Sequence, residues 1–170
     1  VQQGFRPKII SVGKAILYPS NVEVLGEAAH NLSNEVWWTP AHPFKSSLTG
    51  KSAAELAADF TTATNRPWTQ PIGFIHSLFE VAADAMGRVD DAGDADVVAA
   101  ALAATQLDTV VGKIAWDGAG VPEFAAANVC KTPLVGGQWR RKDDGSFDLV
   151  VVDNKSAPMI PTQGVMEALA

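Results

Sequence analysis

WWTPAHPFKSSLTG, residues Trp37–Gly50, is the stretch on which the reading of the fold turns. It follows a short apolar strand signal and precedes the clearest helix start in the chain, at Ser52. It packs two Trp, one His, one Phe, one Lys, two Pro and four hydroxyl residues into fourteen positions. Pro40 and Pro43 remove backbone donors and fix φ, so the segment continues neither a helix nor a central strand. A loop this rich in aromatic and polar groups is either a buried plug or a wall of a binding site. The rest of the chain reads as scaffold on either side of it.

Upstream, Ile9-Ile-Ser-Val-Gly reads as a short buried strand ended by Gly13. Ser20 with Glu23 has the spacing of a capping box and opens a helix of about two turns, limited by Gly26. Asn34–Thr39 is a second strand by β-propensity and alternation. Downstream, Ser52-Ala-Ala-Glu is another capping box. Ala53, Leu56, Ala57 and Phe60 follow at helical spacing, and Asn65 with Pro67 stops the helix. Pro71 is well placed in the first turn of the next helix. Phe74, Leu78, Val81, Ala82 and Ala85 form the stripe expected to be buried.

The acidic turn Asp90–Asp94 leads to an Ala-rich helix ending at Ala104, with Asp94 or Asp96 as its cap. Asp108–Asp117 reads as one strand with a Gly interruption, and Ala115–Ala125 as a loop. Asp144-Gly145 is a strong turn signal between two strands, a β-hairpin. Ala157–Ala170 reads as loop and then a frayed end. The order β-α-β, loop, α-α-α, β, hairpin favours an α/β fold. So few strands for so many helices fit a piece of a larger architecture better than a closed domain.

Composition narrows the function. The chain has 170 residues, 47% hydrophobic and 19% charged, which is globular usage with room for one real core. Its net charge is −6, from 13 Lys and Arg against 19 Asp and Glu. Nucleic acid and anionic membrane need a basic face, so neither is expected as a partner. No apolar run approaches the length of a membrane span. The start Val1-Gln-Gln-Gly, without Met or signal peptide, reads as a processed chain or a fragment.

Catalytic and metal chemistry find little support. His30, His42 and His76 are far apart, and none has a second ligand at metal-binding spacing, so core or boundary histidines are the simpler reading. Cys130 is alone, which excludes an internal disulfide, and it has no His nearby in sequence. Gly50-Lys-Ser resembles the end of a phosphate-binding loop, but the upstream Gly is missing. A loop running into the Ser52 cap is the better reading. The Asp90–Asp96 cluster lacks the alternating ligands and distal Glu of a calcium loop. A binding role survives better. Trp37, Trp38, Phe44 and Trp68 lie around loops, and Lys14 and Tyr18 follow a strand end, where ligands sit in α/β sheets.

Five segments together resemble the C-terminal part of extracellular solute-binding proteins of ABC importers, of the type I, branched-chain amino acid-binding branch. They are Pro7–Ala15, Glu35–Gly50, Trp68–Gly73, Asp108–Trp116 and Lys131–Trp139. The resemblance runs nearly end to end. It implies part of a two-lobe periplasmic-binding-protein-like α/β fold with a C-terminal β-hairpin and ligand in the cleft. Residues 1–39 would then end a second-lobe segment and 40–45 form a hinge crossing. Residues 46–116 would give first-lobe helices and a strand, and 117–170 return to the second lobe.

In amino-acid-binding relatives an acidic residue just beyond the strand matching Ile9–Val12 meets the ligand's ammonium. This chain has Lys14 there, which suits a carboxylate. The ligand-binding candidates are Lys14, Tyr18, Trp38, Phe44, Trp68 and Gln70. The implied function is a periplasmic, or extracellular and membrane-associated, solute-binding component of an ABC importer. It would pass a small solute to a membrane permease without catalysis, metal or cofactor. The solute would be a carboxylate, aromatic or branched aliphatic, or an amino acid. A missing N-terminal half, or another copy of the chain, would complete the fold. A ligand-sensing regulatory domain of the same fold and an α/β enzyme are the alternatives.

Overall fold

A computed structural model describes residues 4–127 and 129–169. The reading of Val1–Gln3 as the start of a cut chain, and the last residue of the tail, lie outside the described residues. The described chain divides into two units, residues 1–37 with 134–170, and residues 38–133.

The first unit is built on a four-stranded mixed sheet. Its strands are β1 (Ser11–Val12), β2 (Ser33–Val36), β5 (Val135–Arg141) and β6 (Phe147–Asp153), in the order β1-β2-β5-β6. β1 runs parallel to β2, with Ser11 opposite Ser33. β2 and β5 are antiparallel, as are β5 and β6. Alternate residues of β5 and β6 (Val135, Trp139, Phe147, Leu149 and Val151) are buried with Ile16, Leu17, Val22 and Val36. That alternation sets one face of each strand on a core, and in β5 the intervening Gln138 is buried as well, bonded to the tail. The expected hairpin forms: Gly145 takes φ 85° and donates to Lys142 O at 3.0 Å.

The crossover from β1 to β2 differs from the capping-box reading. Helix α1 spans Pro19–Glu23 with Tyr18 as N-cap, and no side chain caps it. Pro19 is pre-set for the first helical turn, and that places the start ahead of Ser20. β1 is also shorter than the Ile9–Val12 expected.

The tail is ordered rather than frayed, and its hydrogen bonds show why. Gln138, in β5 and fully buried, accepts from Glu167 N and donates to Glu167 O, both at 2.8 Å. Asn31 Nδ2 donates to Ala168 O at 2.8 Å. Gln163 N donates to Val151 O at 2.8 Å and so covers the outer edge of β6. Ile160 is fully buried.

The second unit carries three helices, α2 (Ala53–Thr64), α3 (Pro71–Gly87) and α4 (Ala95–Ala103), and a two-stranded sheet. The local signals act as expected. Ser52 and Glu55 form a reciprocal capping box on α2, Asn65 ends it in the left-handed conformation, and Asp94 caps α4. The expected single strand over Asp108–Asp117 is a hairpin instead: β3 (Gln106–Thr109) pairs antiparallel with β4 (Gly112–Ala115). Gly112, at φ 107°, allows the reversal.

The face of α3 departs from expectation in part: Phe74 and Val81 pack against the core and Ala85 is buried, as the stripe requires, but Leu78 and Ala82 are exposed. Gly73, Ser77, Glu80 and Ala85 are its buried residues, whereas Leu78 is exposed. The small face is selected because it fits under Trp38. An ideal Cβ on Gly73 would stand 2.3 Å from Trp38 Cγ, so only glycine leaves room for the indole. Trp38, Ala53, Ala57, Val110, Val111 and Ile114 form the core around it.

Candidate functional site

In the first unit the carboxyl ends of β1 and β2 meet at one edge because the two strands are parallel. Lys14 leaves the end of β1 and Trp37 leaves the end of β2. The exposed Lys14 ammonium lies over the Trp37 ring, 5.9 Å from its centroid, within cation–π range. The turn that carries Lys14, a 3-10 segment over Lys14–Ile16, is fixed from below. Ile16 and Leu17 are buried, and Ile16 O accepts from Trp139 Nε1 at 3.1 Å and from Asn34 Nδ2 at 3.3 Å. Tyr18 follows at the mouth of α1 with its ring half exposed. The half-buried Glu35 lies beside Gly13, with Oε1 3.5 Å from where a glycine Cβ would stand. A cation, a carboxylate and the Trp37 ring therefore share this edge.

Glu35 could not be placed from the sequence, because only the β1–β2 pairing brings it to Gly13. Trp37 was legible only as one of a group of aromatics.

In the second unit, Trp38 and Gln70 are fully buried and present no surface to solvent. Trp38 Nε1 donates to Val110 O at 3.2 Å, and Trp68 meets the Trp38 ring edge-on at 6.1 Å. Their proximity is that of a packed core. Gln70 precedes Pro71 at the start of α3. Phe44 is half-buried, edge-on to His42 at 6.1 Å. Phe44 and Trp68 are thus the candidates in this unit with a partly open side chain.

The loop after Phe44 is held by two polar clusters that the sequence did not disclose. Ser46 Oγ lies 2.7 Å from His76 Nε2 and accepts from Leu48 N and Thr49 N, each at 3.2 Å. With both lone pairs engaged, its hydrogen points to Nε2. A Ser–His pair at this distance has the spacing of an activated nucleophile. Ser46, however, is buried and its oxygen is saturated by backbone donors. The adjacent acid is not aligned as a relay. Glu80, fully buried, takes Ser47 N at 2.5 Å, Ser47 Oγ at 2.9 Å and Val110 N at 3.1 Å. The cluster joins loop, helix and hairpin. His76 and Glu80 fall four apart on α3, a spacing visible in the sequence; their partners, thirty residues away, are not.

An open apolar recess of about 260 Å³ is lined by Ala99, Leu102, Ala103, Trp116 and Ala127. Among the described residues of its lining, the Trp116 indole N–H is the one side-chain polar group. Among the described residues no three His, Cys, Asp or Glu side chains gather as a metal site. Asp91 and Asp94 instead accept from backbone donors of their own turn and helix. No helix in the described residues is long and apolar enough to cross a membrane.

No protein-family model and no curated protein matches the chain. Solved structures do. A leucine binding protein, LivK, from Thermotoga maritima aligns with a TM-score of 0.63 and 18% identity over 91% of this chain and 39% of its own. An ABC transporter substrate-binding protein from Sphaerobacter thermophilus gives 0.58 and 17% over 83% of this chain and 35% of its own. One from Desulfitobacterium hafniense gives 0.53 and 17%, over 84% and 35%. The chain therefore spans between 35% and 39% of the length of these structures. Its α/β architecture, with the C-terminal hairpin, is that of part of a type I periplasmic binding protein.

Proposed function

We propose that this chain is part of a solute-binding protein that captures a small carboxylate and delivers it to the permease of an ABC importer, without catalysis. The observation that carries the reading is the Lys14 ammonium held over the Trp37 ring at the carboxyl edge of β1 and β2. That is where α/β sheets take ligands. A cation on a turn fixed by Ile16 and Leu17 suits an anionic head group, and Trp37 and Tyr18 suit an aromatic or branched aliphatic body. In the second unit, taken by itself, Phe44 and Trp68 are the proposed ligand contacts. Trp38 backs Trp68 from the core, and Gln70 is buried at the start of α3. The hinge is proposed at 40–45, where Pro40 and Pro43 limit the backbone to a few conformations. The periplasm or the outer face of the membrane is the compartment that fits such a role.

Glu35 favours a second reading, an amino acid. A carboxylate beside Gly13, one residue before Lys14, offers one charge of each sign to a zwitterion.

Calorimetry on the complete protein with aromatic and aliphatic carboxylates and their α-amino counterparts tests both. Lys14→Glu is expected to weaken an anionic solute by more than about tenfold, as reversal of a partly desolvated charge pair does. Unchanged affinity removes Lys14 from the site. If Glu35→Gln weakens only the amine-bearing ligands, the solute is an amino acid; equal loss for both classes, or none, leaves the carboxylate reading.

A further inference from the structure

The Ser46–His76 contact holds a loop to helix α3 through an acceptor that acid removes. Ser46 Oγ, 2.7 Å from His76 Nε2, already accepts from Leu48 N and Thr49 N. Both of its lone pairs are used, so the hydroxyl donates and Nε2 is the bare nitrogen of a neutral ring. Ser46 N also donates to Lys51 O at 2.8 Å, and Ser46 O accepts from Gly50 N at 2.9 Å. The turn from 46 to 51 is therefore hung on Ser46. Ser46 is buried, whereas His76 is half-buried and open to solvent protons.

The charged groups around the ring do not replace that acceptor. On α3, Glu80 stands one turn beyond His76, and its carboxylate is occupied by Ser47 N, Ser47 Oγ and Val110 N. Asp84, a further turn on, pairs with Arg88. From the loop, Lys51 pairs with Asp59 of α2, and Lys45 stands near Glu55, itself held by Ser52. The hairpin reaches the cluster through the Val110 N–H, not through a charge. Histidine is the side chain that changes charge between about pH 5 and 8. A proton on Nε2 turns the acceptor into a donor facing an oxygen with no lone pair left. The contact then persists only if Leu48 N or Thr49 N, both at 3.2 Å, gives up its place.

We propose that the Ser46–His76 pair is an acid-released latch: protonation of His76 opens the Ser46–Thr49 turn while Ser47 stays bound to Glu80. The Phe44 ring lies two residues before Ser46, and Phe44 O accepts from Ala53 N at 3.3 Å across the same turn. Opening the turn loosens a proposed solute contact, so solute is held less firmly in acid. That consequence rests on the solute reading; the latch itself does not.

Amide exchange followed by NMR on the complete protein, with no solute added, tests the latch. Rates are corrected for intrinsic exchange at each pH. Protection at Leu48 N and Thr49 N is expected to fall about fivefold between about pH 7.5 and 5, the fold-change of one net hydrogen bond. Protection at Val110 N is expected to hold; a loss shared by Val110 is general unfolding and overturns the proposal. In His76→Gln an amide oxygen keeps the acceptor and does not titrate, so the fall should vanish. Constant protection in the wild-type protein overturns the latch, and so does the same fall in His76→Gln. If that variant does not fold, the wild-type midpoint decides. The loss must coincide with the titration of the His76 ring carbons, and different midpoints overturn the proposal. No solute enters the measurement, so a failed search for a carboxylate ligand leaves the latch standing, and a turn indifferent to pH leaves the solute reading standing.

Discussion

Gly73 and Trp38 are fitted to each other: the indole lies so close to the α3 backbone that a Cβ on residue 73 would stand 2.3 Å from Trp38 Cγ. Two effects oppose each other on Gly73→Ala. Alanine is better than glycine inside a helix by about 1 kcal/mol. Overpacking against a fully buried Trp costs roughly 1–3 kcal/mol, and here neither the helix backbone nor the enclosed ring has room to yield. The substitution is expected to lower the urea midpoint. A midpoint unchanged or raised shows that the niche is not tight.

Glu80 is a second long-range contact with a clear consequence. Its carboxylate takes three hydrogen bonds, and the Val110 N–H among them is buried. Glu80→Ala strands that donor and frees the Ser47 turn, at a cost of roughly 2–4 kcal/mol. Glu80→Gln turns an amide toward donors and is expected to cost less than Ala but more than a surface change. Denaturant unfolding of both variants checks the order; equal stability of all three proteins refutes the assignment.

The C-terminal tail is expected to depend on Gln138. Its amide makes reciprocal bonds with Glu167 at 2.8 Å. Gln138→Leu keeps similar bulk and removes both. Amide exchange at Glu167 should accelerate at least tenfold, about 1.4 kcal/mol of local opening. The β5–β6 amides should stay protected. Exchange unchanged at Glu167 means that Asn31 and Gln163 suffice to hold the tail.

The capping box of α2 predicts an acid dependence. The Ser52 backbone N–H, and then its hydroxyl, bond Glu55 and hold its carboxyl below the ordinary value. A lowered folded value means the contact contributes fully above the ordinary Glu range and is lost as pH falls through the folded value. Ser52→Ala should cost about 1 kcal/mol at neutral pH. The gap between wild type and variant should narrow below about pH 4, near the ordinary Glu value. A gap constant with pH would separate Glu55 from the cap.

Signals that act over three or four residues are legible in the sequence: Ser52 with Glu55, Asn65, Pro71, Asp94 and the Asp144-Gly145 turn. One such signal misleads. Ser20 and Glu23 have capping-box spacing, but Pro19 imposes the earlier start. The sheet edge that gathers Lys14, Trp37 and Glu35 is half legible. Lys14 follows a strand end in plain sight, whereas Glu35 joins it only through strand pairing.

By itself the sequence determined the element types, most helix ends, the α/β class and the likeness to a binding-protein fold, because each rests on backbone geometry and nearby partners. Only the tertiary structure decided which face of α3 is buried, that Trp38 belongs to the core, that Glu80 ties loop to hairpin and that the tail is strapped to β5. The physical reason is common to all four. Burial and hydrogen bonding there join residues 20 or more positions apart, as Trp38 to Val110 or Gln138 to Glu167. A helix with apolar residues on both faces reads the same until one face has found its partner.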